Sequence, residues 1–249
     1  MQIKIDDVLH VYEEFYKTSP VSISVVYTDN IYDAYCKLSS DIENIENQKE
    51  WIKELTGTIV VPEDVGDNFF ILINSSNPDC NSNSWIGTLC HELTHVYDHI
   101  EFSNDLGCAK YKNYSKHENF NMFRIWSEFH ARARGHYCLR YFSSDGNVKN
   151  EYHMEENLKE ELTSSIERLH KNFNRCPIDL YAQMYPVMQF FGKLYVWEKL
   201  FPLNYTREKV RDILGYQKLE ELYYYFKEHD EYDKVRYSFN QIRTMILNL

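Results

Sequence analysis

Glycine and proline are scarce in this chain of 249 residues, with 8 and 6. Such a sequence has few places for tight turns and none of the composition of fibrous or low-complexity chains, so long helices are expected. No run of about 18 apolar residues occurs, so no segment is expected to span a membrane. The six cysteines, Cys36, Cys80, Cys90, Cys108, Cys138 and Cys176, include no CxxC pair. Their spacing suggests no disulfide framework, and free thiols in a reducing compartment account for them. Positive charge is also short: the formal net charge is −11. A chain of that sign repels phosphate in bulk, so nucleic acid is not expected as a partner. The local group Arg124, Arg132, Arg134 and Arg140 is read as a solvated helix face. The opening MQIKIDDVLHVYEEF has neither the basic end nor the apolar stretch of a signal peptide, so a cytoplasmic protein is expected.

What is present is a hydrophobic fraction of 43% and 21 tyrosines, enough for a sizeable core. Apolar residues at helical spacing over residues 4–17 predict a helix. Val21 to Tyr27 alternates and is β-branched, and with Gly57–Val61 and Phe69–Ile73 it predicts three strands. Asp33–Leu38 suits a short helix, and Asn74–Ser84 is a polar loop full of turn formers. Strong helices are expected over Trp85–Ile100 and Phe120–Phe142. Most of 154–248 also reads helical, with breaks near Cys176-Pro177, Phe201-Pro202, Gly215 and Asp230, and with Pro186 kinking a helix rather than ending it. Ser143 to Lys149 is the natural seam. The expected organisation is therefore a core over 1–143 and a helical region over 144–249, together an α+β protein.

Residues 91–95 read His-Glu-Leu-Thr-His, the HExxH pattern. At about 3.6 residues per turn, positions i and i+4 project from one face, so His91 and His95 can share one tetrahedral Zn²⁺. Glu92 stands beside the first of them and can reach a water on that ion as general base. The apolar stripe Ile86, Leu89, Leu93, Val96 and Ile100 defines the core face, and His91 lies about 200° round the helix from Leu89. A lone histidine is usually a satisfied structural one, but a pair with Glu92 between is the pattern of a catalytic site. His99 continues the series but sits about 12 Å along the axis from His91, too far for one ion.

Two carboxylates compete to be third ligand. Glu101 lies ten residues after His91, an offset similar to that of the third ligand in the metzincin pattern HExxHxxGxxH, yet Asp98 stands where that pattern has the glycine of a sharp turn, and Glu replaces its usual His or Asp. Glu128 lies in Trp126-Ser-Glu-Phe-His-Ala131, on the next strong helix, with aromatic neighbours and small residues one and two turns on at Ala131 and Gly135. Its alternative reading is a solvated acid paired with Arg132. Tyr97, His130, His136 and Tyr137 are candidates to stabilise an oxyanion, each equally readable as structural.

HELTH followed by a downstream helical glutamate resembles the gluzincin branch of zincin metallopeptidases, over roughly Phe69 to Tyr141. That resemblance implies a zincin-like core, His91, His95 and Glu128 as zinc ligands, Glu92 as base, and Phe69–Ile73 as the edge strand along which a peptide substrate pairs. Thermolysin-like enzymes carry an aspartate four residues after the ligand glutamate. Here Arg132 holds that position and cannot accept a histidine N–H, so a small intracellular gluzincin of the kind found in bacterial regulators and mobile elements fits better. The expected function is zinc-dependent peptide-bond hydrolysis on a peptide or protein substrate. The alternative is a zincin fold kept for binding or regulation, without catalysis.

Overall fold

The computed structural model describes residues 3–39, 49–76, 83–144, 146–148 and 180–249. They form two compact units, Met1–Lys116 and His117–Leu249. Helices dominate and one small sheet accompanies them, an α+β composition.

The first unit contains α1 (Ile5–Tyr16), β1 (Ile23–Thr28), α2 (Ile31–Leu38), α3 (Lys49–Lys53), β2 (Gly57–Val60), β3 (Phe69–Asn74), α4 (Ser84–Asp105) and α5 (Tyr111–Tyr114). Helix α2 starts two residues earlier than its apolar pattern suggests, because the Asn30 side chain accepts from the Asp33 N–H at 3.1 Å and caps it. The sheet order is β1-β3-β2, with β1 parallel to β3 and β2 antiparallel to it. Strand β3 is therefore central, and the expectation that Phe69–Ile73 forms the edge is corrected. Its composition gives the reason: in FFILI, Phe69, Ile71, Leu72 and Ile73 are all buried, as suits a strand bonded on both sides. The edges are β1 and β2.

Helix α4 packs on β2, β3 and α1. Ile86, Leu89, Leu93 and Val96 are buried on its sheet-facing side. The helix runs to Asp105, beyond Ile100, and its last turns bury Phe102 and Ser103. It ends where Gly107 takes φ +61, a left-handed conformation that glycine adopts without strain. Tyr12 of α1 bonds Thr94 at 2.8 Å, tying α1 to the buried flank of α4.

The second unit contains α6 (Phe120–Ser143), α7 (Leu180–Leu200), α8 (Arg207–Leu214), α9 (Gln217–Glu228), α10 (Tyr232–Val235) and α11 (Phe239–Leu247). The expected breaks at Pro202, Gly215 and Asp230 fall between these helices, and α7 continues through Pro186. The helix expected before residue 180 and the break at Cys176-Pro177 lie outside the described residues. Helices α6 and α7 form the main packing pair and run in the same direction. Arg124 stacks on Tyr181, Glu128 meets Gln189, and His136 meets Trp197. Trp126 is fully buried and donates to the His229 carbonyl at 2.7 Å, which pins α6 to the loop after α9. Four cysteines are described, Cys36, Cys90, Cys108 and Cys138, and all four are free thiols. None of the described helices is long and apolar enough to cross a membrane.

The arginines of α6 do not form the solvated face expected of them. Arg134 is 8% exposed and donates to Glu231 at 2.8 Å, and Arg132 is half-buried with its Nε shielded from solvent. The helix is covered on most of its circumference, so its apolar residues follow no single stripe and its polar residues are drawn inward with them.

Close approach of α6 and α7 depends on Gly192. A Cβ there would lie 2.7 Å from the Arg132 Cβ, 2.8 Å from the Phe129 carbonyl oxygen and 2.9 Å from the Ala133 nitrogen. Two of these neighbours are backbone and cannot swing aside. Gly192→Ala is expected to destabilise the fold by about 1–3 kcal/mol, the scale of overpacking. Chemical denaturation of the variant against the parent checks this; equal midpoints would show that the helices have room to part.

Candidate metal centre

The histidine pair is a product of α4 alone. Its apolar stripe is held by the sheet, so the positions left over, His91 and His95, face away and are half-buried. The two Nε2 atoms stand 3.1 Å apart, with the rings edge to face at 86° and centroids 4.7 Å apart. Two Zn–N bonds of 2.0–2.1 Å at a tetrahedral angle would hold the nitrogens about 3.3 Å apart, so the pair already has the separation that one ion requires.

Glu92, between them in sequence, is 8% exposed. It lies on the flank of α4 that meets β2. There Gly57 leaves a gap, since a Cβ at that position would come 2.4 Å from Thr88 Cγ2, 3.1 Å from the Leu72 carbonyl oxygen and 3.4 Å from Glu92 Cγ. The missing side chain allows the strand to lie directly against the first turns of the HELTH segment.

Glu128 belongs to α6 and is 6% exposed. Both carboxylate oxygens accept hydrogen bonds from α7. The Tyr181 hydroxyl donates to Oε1 at 2.5 Å, and the Gln189 Nε2 donates to Oε2 at 2.8 Å. Burial, and next the charge of Glu128, raise the Tyr181 pKa well above the ordinary value, so this hydroxyl stays protonated and remains a donor. A carboxylate oxygen has more than one acceptor direction, so both oxygens keep capacity for a further partner. Such donors fix a carboxylate's orientation in the way that outer hydrogen bonds fix metal ligands.

Among the described residues, His91, His95 and Glu128 each offer one ligand atom, and these atoms lie within 4.8 Å of one another. Two imidazole nitrogens and a carboxylate oxygen form a donor set that can bind a metal ion. Glu101 is not part of the group. It sits on α4, which continues straight through it to Asp105, and its side chain is exposed. Without the sharp turn that a fold-back would need, it points along the wrong helix. His99 is instead drawn to Tyr114, whose hydroxyl bonds its Nδ1.

The oxyanion candidates have packing roles. Tyr97 stacks on Tyr12 at 5.9 Å and donates to the Ser19 carbonyl at 2.8 Å. His130 is buried and stacks on Trp126 at 4.8 Å. Tyr137 packs with Ala133, Val196, Leu200 and Phe201, and His136 meets the Trp197 ring edge to face. Tyr181 and Gln189 were not foreseen. They lie 53 and 61 residues from Glu128, and only their shared helical face, two turns apart on α7, could have linked them to it.

Removing one orienting donor should loosen the ligand without unfolding the helix pair. If the group binds a metal, Tyr181→Phe is expected to weaken that binding about 10–100-fold. Chelator competition measures it, and an unchanged affinity would show that the hydroxyl does not orient the carboxylate. Gly57→Val is expected to push β2 off Thr88 and Glu92 and to lower the thermal midpoint by several degrees, roughly what 1–2 kcal/mol of overpacking produces in a chain of this size. Comparisons with protein-family models, with curated proteins and with solved structures return no match for this chain, so the reading of this centre rests on its own geometry.

Proposed function

We propose that this chain is a zinc-dependent metallopeptidase of the gluzincin kind, with His91, His95 and Glu128 as metal ligands and Glu92 as general base. The observation that carries the reading is the convergence of two imidazoles and one carboxylate within 4.8 Å, beside a glutamate that is not one of the three. Among the described residues three protein ligands converge, and three suit a catalytic rather than a structural zinc, which takes four. A purely structural site has no use for Glu92, which stands next to His91 in sequence without being one of the three.

The two histidines hold the ion through Nε2 and Glu128 through a carboxylate oxygen. When bound, zinc supplies Lewis acidity, lowering the pKa of a water to about 7 and polarising a peptide carbonyl. Glu92 takes the proton from the attacking water as the new C–O bond forms. It then delivers that proton to the nitrogen of the leaving amine as the C–N bond breaks, so the carboxylate ends as it began. Tyr181 and Gln189 keep Glu128 aimed throughout. A peptide in extended form has β2 as its pairing edge on this reading, since that strand is bonded on one side only among the described strands and runs past Glu92 at Gly57.

Purified protein is expected to carry about one zinc per chain by elemental analysis, and a chain that neither retains zinc nor takes it up on titration would refute the centre. Glu92→Gln is expected to keep zinc and fold while losing hydrolysis of a peptide library by several orders of magnitude, as removal of a general base combined with its role in positioning water implies. Cleavage by the variant at the parent rate would remove Glu92 from the mechanism. Zinc binding without cleavage of any peptide by the parent would leave a metal-binding module in place of an enzyme.

A further inference from the structure

One turn beyond Glu128, the α6 face that meets α7 changes sign. Arg132, His136 and Arg140 follow at intervals of four, and Lys193 stands opposite them beside Gly192. All four are half-buried. Among the described residues the Arg132 guanidinium makes no hydrogen bond and no ion pair, and its Nε is sealed from solvent; the His136 Nε2 is likewise buried with no partner. Arg132 is close enough to Glu128 for their charges to interact, but no hydrogen bond joins them, and Glu128 accepts from Tyr181 and Gln189. Burial, and then the charge of Arg132, lower the Lys193 pKa to about 7, and His136 is driven well below its ordinary value by burial and by the cations around it. Arg132 is thus a half-buried cation whose Nε is sealed from solvent without an acceptor, and burial of that kind is costly unless an anion is brought to it.

We propose that Arg132, flanked by Lys193 and His136, is a carboxylate-binding subsite. A guanidinium offers a planar fork of N–H donors matched to the two oxygens of a carboxylate, and the pairing is stronger away from water. The subsite rests on the peptidase reading for its occupant: it takes a carboxylate of the substrate, from an acidic side chain or from the C-terminus. Arg132 is one helical turn, about 6 Å, along α6 from the ligand Glu128. An extended peptide covers that distance in about two residues. The enzyme is therefore selective for peptides with a carboxylate within about two residues of the bond it cuts.

Three peptides of one sequence separate the two sources. The first is neutral with an amidated end. The second carries glutamate in place of a glutamine and is amidated. The third is neutral with a free C-terminus. Calorimetric titration into the full-length Glu92→Gln protein is expected to give one carboxylate-bearing peptide at least a tenfold advantage over the neutral one, the scale of a charge-assisted hydrogen bond. That advantage should vanish in the Arg132→Gln double variant and return in part with Arg132→Lys. Melting curves of each variant control for folding. Three equal affinities, or an advantage that survives Arg132→Gln, overturn the subsite. Cleavage by the parent separates this result from the peptidase reading. Equal kcat/KM on all three peptides removes the subsite and keeps the hydrolase. A carboxylate preference in binding with no cleavage keeps the subsite and removes the hydrolase.

Discussion

The burial of the α4 apolar stripe is the constraint from which the site follows. Ile86, Leu89, Leu93 and Val96 leave water as α4 lies on β2, β3 and α1, and this fixes the rotation of the helix about its axis. Once the rotation is fixed, His91 and His95 have no freedom to face elsewhere. Each buried aliphatic side chain contributes about 1.5–3 kcal/mol, while one imidazole pair brought to 3.1 Å without an ion contributes nothing comparable. The hydrophobic contact orders the histidines, and the histidines do not order the helix. Gly57 refines this arrangement by bringing the strand flush against the same segment.

The second unit solves the complementary problem of holding a carboxylate in a fixed direction. Trp126 and Phe129 bury α6 on either side of Glu128 in sequence, and Gly192 lets α7 come near enough for Tyr181 and Gln189 to reach it. A buried carboxylate left alone would be costly, and the two neutral donors offset that cost without neutralising the charge. A cation in their place would have competed with any metal for the same oxygens. Arg132, one turn on, is kept at a distance where it acts through its field and not through a bond.

Much of this was legible in the sequence, and the reasons are physical. HELTH states its own geometry, because i and i+4 on a helix are neighbours whatever the tertiary fold. That Glu128 and not Glu101 groups with the histidines was also legible, since Asp98 and Ile100 leave no place for a sharp turn and α4 runs straight through to Asp105. The strands were visible as segments, but their order was not: FFILI reads the same on an edge or in the middle until its neighbours are known, and two buried faces were the clue that it is central. The arginines of α6 misled because charge in a sequence is read as exposure by default. A helix covered nearly all round carries no stripe to contradict that default. Tyr181 and Gln189 were silent for a simpler reason, as contacts between distant helices leave no periodic trace in either.

The hold of α7 on Glu128 has a thermodynamic meaning as well as a geometric one. A ligand whose position depends on two donors from another helix is a ligand only while those helices stay packed. An ion bound through that carboxylate is then a ligand of the native state alone, and it stabilises that state by mass action, by about 2.7 kcal/mol at a hundredfold excess over its dissociation constant. The same coupling runs in reverse. Whatever separates α6 from α7 at Gly192 would weaken the hold on such an ion, though it touches none of the three candidate ligand atoms. If the centre holds an ion as proposed, metal supply is also a control on how long the folded chain survives.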